Sequence, residues 1–429
     1  MELFGSSGYR AVADRNFMDV AFRLGFAVGS VASSALIGSD TRTSSGAAKH
    51  CVASALLASG CKTYDAGIIP TPTLAFTCRD FAVGVMITAS HNPPQYNGIK
   101  LWNPDGSAFD TGQRHRIERL VECSTAPTAS WEDMESLRTM PDAVQQHADF
   151  IMRGFPERLR LKVVVDCGGG AGSVITPYLL QQLGCHVITL NCTTTGFFPR
   201  DAEPTEESLK DLSQTVRSVG ADIGLAHDAD ADRLTVVDET GMFVPGDKLM
   251  VLLAREVGAK SIVTTVDASM SIEEQGFKTT RTRVGDAYVS EELKKGGGDF
   301  GGEPCGAWFF PTVSYCPDGI YAAALVAKLA TKKKLSVQAA SLPSYPMRRG
   351  STPGDRSLMG RIEPALLRLD PISLSREDGL RAGFADGWLL VRPSRTEPRI
   401  RITAEAKTVQ RAETLYDRAL AAIKGIESA

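Results

Sequence analysis

The sequence predicts an α/β protein built from three related units and a smaller α+β unit at its end. Three segments share one layout, an apolar run that closes on an aspartate and is followed by small residues: Ala35 to Asp40, Lys162 to Asp166 and Ser261 to Asp267. Helical patterns alternate with such runs, at Ile175 to Leu183, Glu206 to Val219 and Asp247 to Val257. Strands that alternate with helices favour mostly parallel sheets covered on both faces. The repeat spacing of roughly 100 residues indicates domain duplication rather than a solenoid.

The final unit differs from the other three. Trp388 to Arg392 and Ile400 to Thr403 are typical of short strands, and Val409 to Ile426 of an amphipathic helix. Leu342 to Gly354 is rich in proline, serine and glycine and is predicted to be a linker, and the polar segment Cys123 to Met140 lies near the first junction. We therefore predict four domains, at residues 1–150, 151–247, 248–342 and 343–429.

Composition is typical of a soluble globular protein. Of 429 residues, 43% are hydrophobic and 23% are charged. The net charge of −3 gives no reason to expect nucleic acid or an anionic membrane as a partner. No apolar stretch reaches the ~18 residues of a membrane span, and Met1 to Arg10 lacks the features of a secretory signal. Nine scattered cysteines without a C-x-x-C pair favour free thiols in a reducing cytoplasm.

Three alternating carboxylates predict a metal site. Asp228, Asp230 and Asp232 lie just beyond an apolar strand pattern. Uncompensated, they would repel one another, and oxygen ligands with room for a phosphate oxygen indicate Mg²⁺. An EF-hand calcium loop is one alternative, because Glu239 falls at its twelfth position; however, Arg233 occupies the sixth position, which requires glycine. A solvated acidic turn is the other alternative.

A serine follows an apolar run in the first unit. The segment Thr88 to Pro93 comes directly after Val83 to Ile87, and Ser90 within it can carry a phosphoryl group that a nearby cation neutralises. Asn97 to Lys100 then adds a turn and a positive charge, and Lys100 can stabilise transferred phosphoryl charge or move a proton. The plain alternatives are a tight turn for the serine segment and a surface position for the lysine.

Two further segments have the residue types that a sugar phosphate requires. Arg392 to Pro398 contains two guanidinium groups and two hydroxyl groups, which can bind a phosphate monoester. The alternative is an exposed turn, and for Arg399 and Arg401 we favour side chains that simply face water. Gly301 to Gly306 is a glycine-rich loop with one acid, able to approach a sugar ring and accept hydrogen bonds from its hydroxyls. By itself that loop is no better evidence than a turn.

Together, these segments resemble the α-D-phosphohexomutase family, in the family's order and over nearly the whole chain. Five segments resemble its amino-terminal, phosphoserine, metal, sugar and phosphate-binding loops: Leu3 to Arg10, Thr88 to Pro93, Asp228 to Arg233, Gly301 to Gly306 and Arg392 to Pro398. The resemblance implies three related mixed-sheet α/β domains and a smaller C-terminal α+β domain around a central cleft. It implies catalytic roles for Arg10, Ser90, His91, Lys100 and Arg233, metal ligation by Ser90, Asp228, Asp230 and Asp232, and substrate binding by Glu303, Cys305, Arg392, Ser394, Arg395 and Thr396.

The reaction implied by this resemblance is reversible transfer of phosphate between O6 and O1 of a hexose phosphate. Phospho-Ser90 gives its phosphoryl group to the substrate, and the bisphosphorylated sugar turns over in the site and returns its other phosphoryl group. The implied cofactors are Mg²⁺ and a hexose 1,6-bisphosphate activator. The implied partner is a small-molecule sugar phosphate, and we expect a monomer or a homodimer.

Some positions depart from the family pattern. Cys305 and Ala307 stand where members commonly carry serine and histidine; a thiol is a poorer hydrogen-bond donor than a hydroxyl, and Ala307 cannot take a proton-transfer role. Arg395 stands where many members have glycine or asparagine. The Glu-Pro-x-Gly-x-Trp pattern from Glu303 to Trp308 is most similar to archaeal-type phosphoglucosamine mutases, so we expect glucosamine phosphate as the substrate.

Other functions stay open at this point. Within the family, the alternative is a phosphomannomutase or phosphoglucomutase. From another reaction class, a magnesium-dependent phosphatase with an aspartyl nucleophile also uses alternating aspartates. A non-catalytic sugar-phosphate-binding protein is the third alternative, and it would need no phosphorylated Ser90.

Overall fold

The amino-terminal part of the chain forms a six-stranded mixed sheet. The computed structural model describes residues 3–5, 7–123, 127–394 and 398–427. The strands are β1 (Tyr9–Val12), β2 (Ser34–Ser39), β3 (Lys62–Ile68), β4 (Val83–Ile87), β5 (Tyr96–Trp102) and β6 (Arg138–Thr139), and the helices are α1 (Arg15–Gly29), α2 (Ser45–Ala58), α3 (Thr71–Thr77), α4 (Thr111–Cys123) and α5 (Ala143–Arg153). The strand order is β1-β5-β4-β2-β3-β6. β2 is parallel to β3 and β4, whereas β5 is antiparallel to β4 and β1.

Two further sheets repeat this arrangement. The second has β7 (Lys162–Asp166), β8 (His186–Leu190), β9 (Ile223–His227), β10 (Leu234–Asp238) and β11 (Phe243–Val244), with α6 (Thr176–Gln182) and α7 (Lys210–Val219). The third has β12 (Ser261–Thr265), β13 (Lys278–Thr282), β14 (Phe300–Glu303) and β15 (Ala307–Phe309), with α8 (Gly246–Glu256), α9 (Asp286–Lys294), α10 (Gly319–Lys332) and α11 (Leu335–Ala340). Their strand orders are β11-β10-β9-β7-β8 and β13-β12-β14-β15.

The three sheets share one topological unit. A central strand lies parallel to the strand that leads into a predicted functional loop: β2 beside β4, β7 beside β9, and β12 beside β14. After each of these loops the chain returns as a strand antiparallel to the one before the loop: β5, β10 or β15. The sheets are therefore mixed, as the family resemblance implied: the central pairings are parallel, as the alternation of strands and helices suggested, and antiparallel strands lie at one edge of each sheet. The prediction of three related α/β domains is confirmed.

Buried apolar runs explain the central strands. Every residue of β4 and of β9 is buried, as expected for strands with helices on both faces. Capping fixes helix boundaries at some ends; for example, α1 begins after Asp14, whose carboxylate accepts a hydrogen bond from Phe17 N at 2.9 Å. The loops that follow β4 and β9 therefore extend from strands that the core holds firmly.

The carboxyl-terminal part is the predicted smaller α+β unit. It has β16 (Met347–Pro353), α12 (Met359–Leu367), β17 (Ser373–Ser375), β18 (Leu380–Phe384), β19 (Gly387–Pro393), β20 (Arg399–Ala406) and α13 (Val409–Glu427). The antiparallel order is β16-β20-β19-β18-β17. The linker prediction for Leu342 to Gly354 is wrong over β16, which pairs with β20 along its whole length. As an edge strand, β16 tolerates its glycine and its terminal proline.

Apolar contacts join the units to different degrees. One core cluster runs through the second and third sheets and includes Val165, Leu249 and Trp308, all almost fully buried. The last unit has its own core and meets the third through a small cluster of Val266, Trp388 and Leu390. Among the described residues, no helix has both the length and the apolar character needed to cross a bilayer. The domain boundaries at residues 150, 247 and 342 stay predictions.

Candidate active site

Ser90 is held in an unusual backbone conformation. It is 1% exposed and has a φ of 51°, in the left-handed region that costs a non-glycine residue roughly 1–2 kcal/mol. Its N–H donates to Thr88 Oγ1 at 2.9 Å, and its Oγ donates to Asp228 Oδ2 at 2.8 Å. The loop after β4 thus meets the loop after β9, although 138 positions separate the two residues.

Asp228, Asp230 and Asp232 converge in a buried cluster. One ligand atom from each lies within 4.8 Å of the others. Burial, followed by the charges of Asp232 and Asp230, raises the pKa of Asp228. Asp230 Oδ1 is buried and has no hydrogen-bond partner among the described residues. Mutually repelling carboxylates and an unsatisfied buried oxygen fit a hard divalent cation such as Mg²⁺, with Ser90 Oγ near enough to the cluster to contribute another oxygen.

Lys100 lies inside this cluster rather than at the surface. It is 3% exposed, and its Nζ is 2.8 Å from Asp230 Oδ2 and 2.6 Å from Asp232 Oδ2. Burial alone would lower the pKa of Lys100, but the two carboxylates raise it above the ordinary value. The surface alternative for this residue is therefore wrong. β5 places a permanently charged ammonium group beside the position where Ser90 would carry a phosphoryl group.

The remaining candidate catalytic residues surround Ser90. Arg10 Nη1 donates to Asn92 Oδ1 at 3.1 Å, which holds the arginine against the serine loop. His91 Nδ1 is 3.3 Å from Ser90 Oγ, and the Arg233 charge, followed by burial, lowers the pKa of His91, so its imidazole is neutral. Arg233 N donates to Asp228 Oδ1 at 3.2 Å. Arg10, His91 and Arg233 all line the cleft that opens above Ser90.

The predicted sugar loop is shorter than its glycine pattern indicated. Gly301 and Gly302 lie within β14, where a Cβ on Gly301 would meet Leu293 Cδ1 at 2.7 Å, so this glycine serves packing. The turn itself is formed around Gly306, which has a φ of 101° and where a Cβ would come within 2.8 Å of Leu234 O. Trp308 Nε1 donates to the same Leu234 carbonyl at 2.9 Å, and this bond anchors the turn to the second domain.

Glu303 and Cys305 face the cleft from this turn. Glu303 Oε1 accepts a hydrogen bond from Gly285 N at 2.9 Å, and burial, followed by the charge of Asp286, raises the pKa of Glu303 to about 8. Burial also raises the pKa of Cys305 well above the ordinary value for a thiol. Near neutral pH both groups are protonated in the absence of a ligand, so both can donate a hydrogen bond.

The Glu303 carboxyl group should make stability depend on pH. Its pKa is about 8 in the folded protein, against an ordinary value of 4.5. Between these values the folded state binds more protons than the unfolded state, so stability falls as pH rises through this range, by at most about 1.4 kcal/mol per pH unit. Glu303→Gln should flatten this slope in urea unfolding series from pH 5 to 8, whereas Glu413→Gln, at an exposed position on α13, should not. An unchanged slope in Glu303→Gln would contradict the assignment.

The last domain contributes a basic wall to the cleft. Arg392 and Ser394 line it, and Arg392 Nη1 is 3.3 Å from Asp378 Oδ2. The predicted binding residues Arg395 and Thr396 lie outside the described residues. Arg399 and Arg401 are exposed, but the solvent they face is that of the cleft. Both therefore line the cleft, and Arg399 Nε also donates to Ser351 Oγ at 2.8 Å, so the interpretation that they simply face water is incomplete.

Several cleft or supporting residues were missed from the sequence. Arg349 lines the cleft from β16, the strand taken for a linker. Glu203 Oε1 forms an ion pair with Arg233 Nη1 at 3.1 Å. Thr71 Oγ1 donates to Asp230 Oδ2 at 2.5 Å, and Thr71 N donates to Asp230 O at 2.9 Å. The only local signal for Thr71 was its place between two prolines directly after a strand pattern.

The cleft is large enough for a phosphorylated sugar. Its volume is about 970 Å³, and it is lined by residues of all four domains, among them Ser90, Arg233, Glu303 and Arg392. Ligand sites for molecules of this size commonly occupy ~300–1,000 Å³. A buried hydroxyl beside the carboxylate cluster and several guanidinium groups therefore line the same cleft.

Comparison with protein families accounts for nearly the whole chain. The chain matches four successive domains of one family, phosphoglucomutase/phosphomannomutase. These are alpha/beta/alpha domain I over residues 1–127, domain II over 142–241, domain III over 245–345, and the C-terminal domain over 345–422. The chain belongs to the phosphoglucomutase/phosphomannomutase family. The family resemblance that the loop motifs predicted is thereby confirmed.

Individual family members agree with this assignment. A protein of Methanocella arvoryzae named "Probable phosphoglucosamine mutase" is 46% identical, with 99% of this chain and 98% of the relative covered. A Pyrococcus horikoshii protein of the same name is 41% identical, with 99% and 98% covered. The X-ray structure of a phosphoglucomutase/phosphomannomutase family protein from Burkholderia thailandensis has a TM-score of 0.87 at 26% identity, and the match covers 99% of this chain and 98% of that one. This chain and the Burkholderia thailandensis protein therefore share the same fold over almost their whole lengths.

Proposed function

We propose that this phosphohexomutase interconverts glucosamine 6-phosphate and glucosamine 1-phosphate through a phosphorylated Ser90. The observation that carries the proposal is the 2.8 Å contact between Ser90 Oγ and Asp228 in a cleft that also contains Arg392. The phosphoryl group passes from Ser90 to a sugar hydroxyl. The bisphosphorylated sugar then turns over and returns its other phosphoryl group to Ser90, so the enzyme regains its starting state.

Oxygen atoms of phospho-Ser90, Asp228, Asp230 and Asp232 would hold Mg²⁺. When bound, this cation would neutralise negative charge on the transferred phosphoryl group. The unsatisfied oxygen of Asp230 supports the assignment. A hexose 1,6-bisphosphate is the activator that we propose for the first phosphorylation of Ser90.

Cationic groups around Ser90 have a separate role in this proposal. Lys100 is charged and buried beside the carboxylates. Because its ammonium group is already in place, it stabilises negative charge on the phosphoryl oxygens without any rearrangement of the surrounding side chains. Arg10 and Arg233 add guanidinium groups at the rim of the same site. The neutral imidazole of His91 can exchange a proton or a hydrogen bond with Ser90 Oγ.

Binding of the sugar depends on the two other loops. Arg392, Ser394, Arg395 and Thr396 would hold the phosphate that is not being transferred, because guanidinium and hydroxyl groups match a phosphate monoester. Glu303 and Cys305 would contact the ring hydroxyls. A grip on both ends of the sugar keeps it in the cleft while it turns over, where water would otherwise hydrolyse the donor.

The choice of glucosamine is supported by the relatives. Proteins at 40–46% identity over most of the chain are named "Probable phosphoglucosamine mutase". A phosphomannomutase or phosphoglucomutase is the alternative within the family. Rates on glucosamine, glucose and mannose 6-phosphates, each with its own 1,6-bisphosphate, test this choice. A preference for glucose or mannose phosphate would contradict it, and release of inorganic phosphate without sugar isomerisation would indicate a phosphatase.

Arg392→Ala should chiefly weaken substrate binding. A charged hydrogen-bond pair with phosphate contributes about 1.5–3 kcal/mol, so KM should rise by about 10- to 100-fold. Because the reacting phosphoryl group lies at Ser90, kcat should change less. Arg418→Ala, an exposed position on α13, is the matched control. Steady-state kinetics with glucosamine 6-phosphate distinguish the cases, and an unchanged KM would count against a phosphate role for Arg392.

A further inference from the structure

Arg42 is buried directly behind the phosphoserine loop. It is 2% exposed, and its Nε, Nη1 and Nη2 atoms all donate hydrogen bonds to protein oxygens. Its guanidinium group donates to one carboxylate and four backbone carbonyls: Asp40 Oδ2 at 2.9 Å, Ser90 O at 2.6 Å, Asn92 O and Pro93 O at 2.7 Å each, and Tyr96 O at 3.0 Å. One side chain therefore connects both ends of the loop that carries Ser90.

Asp40 completes this arrangement from the end of β2. Its Oδ2 accepts a hydrogen bond from Thr88 Oγ1 at 2.7 Å, and Thr88 Oγ1 in turn accepts one from Ser90 N. The backbone N–H of Ser90 is thus fixed through Thr88, and its carbonyl through Arg42. Both of these links end on Asp40. This pair of links holds Ser90 in its left-handed conformation.

The second domain repeats the device at the metal loop. Arg200 Nε donates to Asp166 Oδ2 at 2.9 Å, and Arg200 Nη2 donates to His227 O at 2.7 Å, the carbonyl directly before Asp228. Asp166 closes β7 as Asp40 follows β2, so the two carboxylates are equivalent in the duplicated topology. The metal loop also has a left-handed residue that is not glycine, Ala231, with a φ of 54°.

The third domain has a different arrangement, in which Arg281 pairs with Glu273 and donates to three backbone carbonyls at the end of β12 and in the loop after it, those of Thr265, Ala268 and Ser269. Asp267 Oδ1 accepts a hydrogen bond from Thr265 Oγ1 at 2.6 Å, and within the described part of the chain no arginine forms an ion pair with it. Asp267 lines the cleft instead, next to the loop proposed to contact the sugar. The Asp–Arg pairs therefore occur behind the two loops assigned to the transferred group and its cation, and not behind the sugar loop.

We propose that Arg42 and Arg200 are positioning residues with separable targets, an inference that rests on the proposed function. Arg42 sets the position of Ser90 for phosphoryl transfer, and Arg200 sets the position of the carboxylates that hold the cation. Neither arginine lines the cleft, so each acts through the loop it binds. Lysine at either position keeps the charge but has a single ammonium group, which cannot bond the several oxygens that a guanidinium group reaches.

The test compares Arg42→Lys with Arg200→Lys in the full-length protein. For each, the rate of Ser90 phosphorylation by glucose 1,6-bisphosphate is followed by intact mass at saturating Mg²⁺, and Mg²⁺ affinity is measured by calorimetry without sugar. Arg42→Lys should slow phosphorylation by about 100-fold, even at saturating Mg²⁺, with a much smaller change in affinity. Arg200→Lys should weaken Mg²⁺ binding by about 10- to 100-fold and regain phosphorylation as Mg²⁺ is raised.

Other outcomes overturn the inference. If both variants lower both readouts by the same factor, the arginines serve general stability only, and if neither readout moves, they do not position the loops. Asp40→Asn is the second variant, since it keeps the shape and an oxygen acceptor at the site; it should reproduce the Arg42→Lys pattern in weaker form. Wild-type protein that never acquires phosphate on Ser90 would refute the proposed function itself, whereas a wild-type phosphorylation rate in Arg42→Lys together with wild-type Mg²⁺ affinity in Arg200→Lys would refute only this inference.

Discussion

Ser90→Ala should abolish turnover while leaving substrate binding largely intact. Removing a nucleophile that forms a covalent intermediate costs on the order of 10⁶-fold in kcat. Binding should persist because the groups proposed to hold the substrate, Arg392 and Glu303 among them, belong to other loops. The measurements are the mutase rate with bisphosphate activator and the Kd of glucosamine 6-phosphate by calorimetry.

The control for this change is Ser54→Ala, an exposed serine on α2 whose hydroxyl donates to the carbonyl of His50 in the same helix. It should keep the wild-type rate. Residual activity of Ser90→Ala within a few-fold of the control would contradict a phosphoserine mechanism. Loss of substrate binding together with the rate would instead mean that Ser90 is needed for the shape of the cleft.

Asp230→Asn should remove most of the affinity for Mg²⁺ and most of the activity. Its carboxylate is buried, and its pKa is held below the ordinary value because Lys100 outweighs the effect of burial. Loss of a direct ligand should exceed the ~100-fold affinity loss typical of outer-shell changes. Calorimetric titration with Mg²⁺ and the mutase rate across a Mg²⁺ series provide the measurement.

Asp417→Asn, at an exposed position on α13, is the matched control for charge removal. Chelation of the wild-type protein should reproduce the Asp230→Asn loss, and added Mg²⁺ should restore only the wild type. Wild-type Mg²⁺ affinity in Asp230→Asn would contradict the placement of the cation among the three carboxylates.

Short motifs made much of the site predictable from the sequence. The alternating carboxylates of Asp228, Asp230 and Asp232 lie within one turn, so their clustering follows from local geometry. The position of Ser90 directly after a buried strand predicted the residue that carries the phosphoryl group. The order of the loop motifs along the chain predicted the family. The predicted strands Trp388 to Arg392 and Ile400 to Thr403 also lie within β19 and β20, because a continuous apolar run in β19 and alternating burial in β20 leave local patterns.

The rest depends on contacts between distant parts of the chain. Lys100 and Asp232 are 132 positions apart, and nothing near Lys100 in the sequence distinguishes a buried ion pair from a surface lysine. Likewise, Arg42 reaches carbonyl groups about 50 positions away, and backbone carbonyls leave no sequence signal. β16 was mistaken for a linker because its strand character comes from pairing with β20, not from its own residues.

Ser90 is proposed to donate and recover a phosphoryl group beside the carboxylate cluster. Intact-mass and peptide-mapping analysis of the wild-type protein, first with glucose 1,6-bisphosphate and Mg²⁺ and then with glucosamine 6-phosphate, tests this proposal most directly. We expect one phosphoryl group on Ser90 after the first step and its transfer to the sugar after the second, with glucosamine 1,6-bisphosphate formed. Phosphate on an aspartate, or none on Ser90, would contradict it.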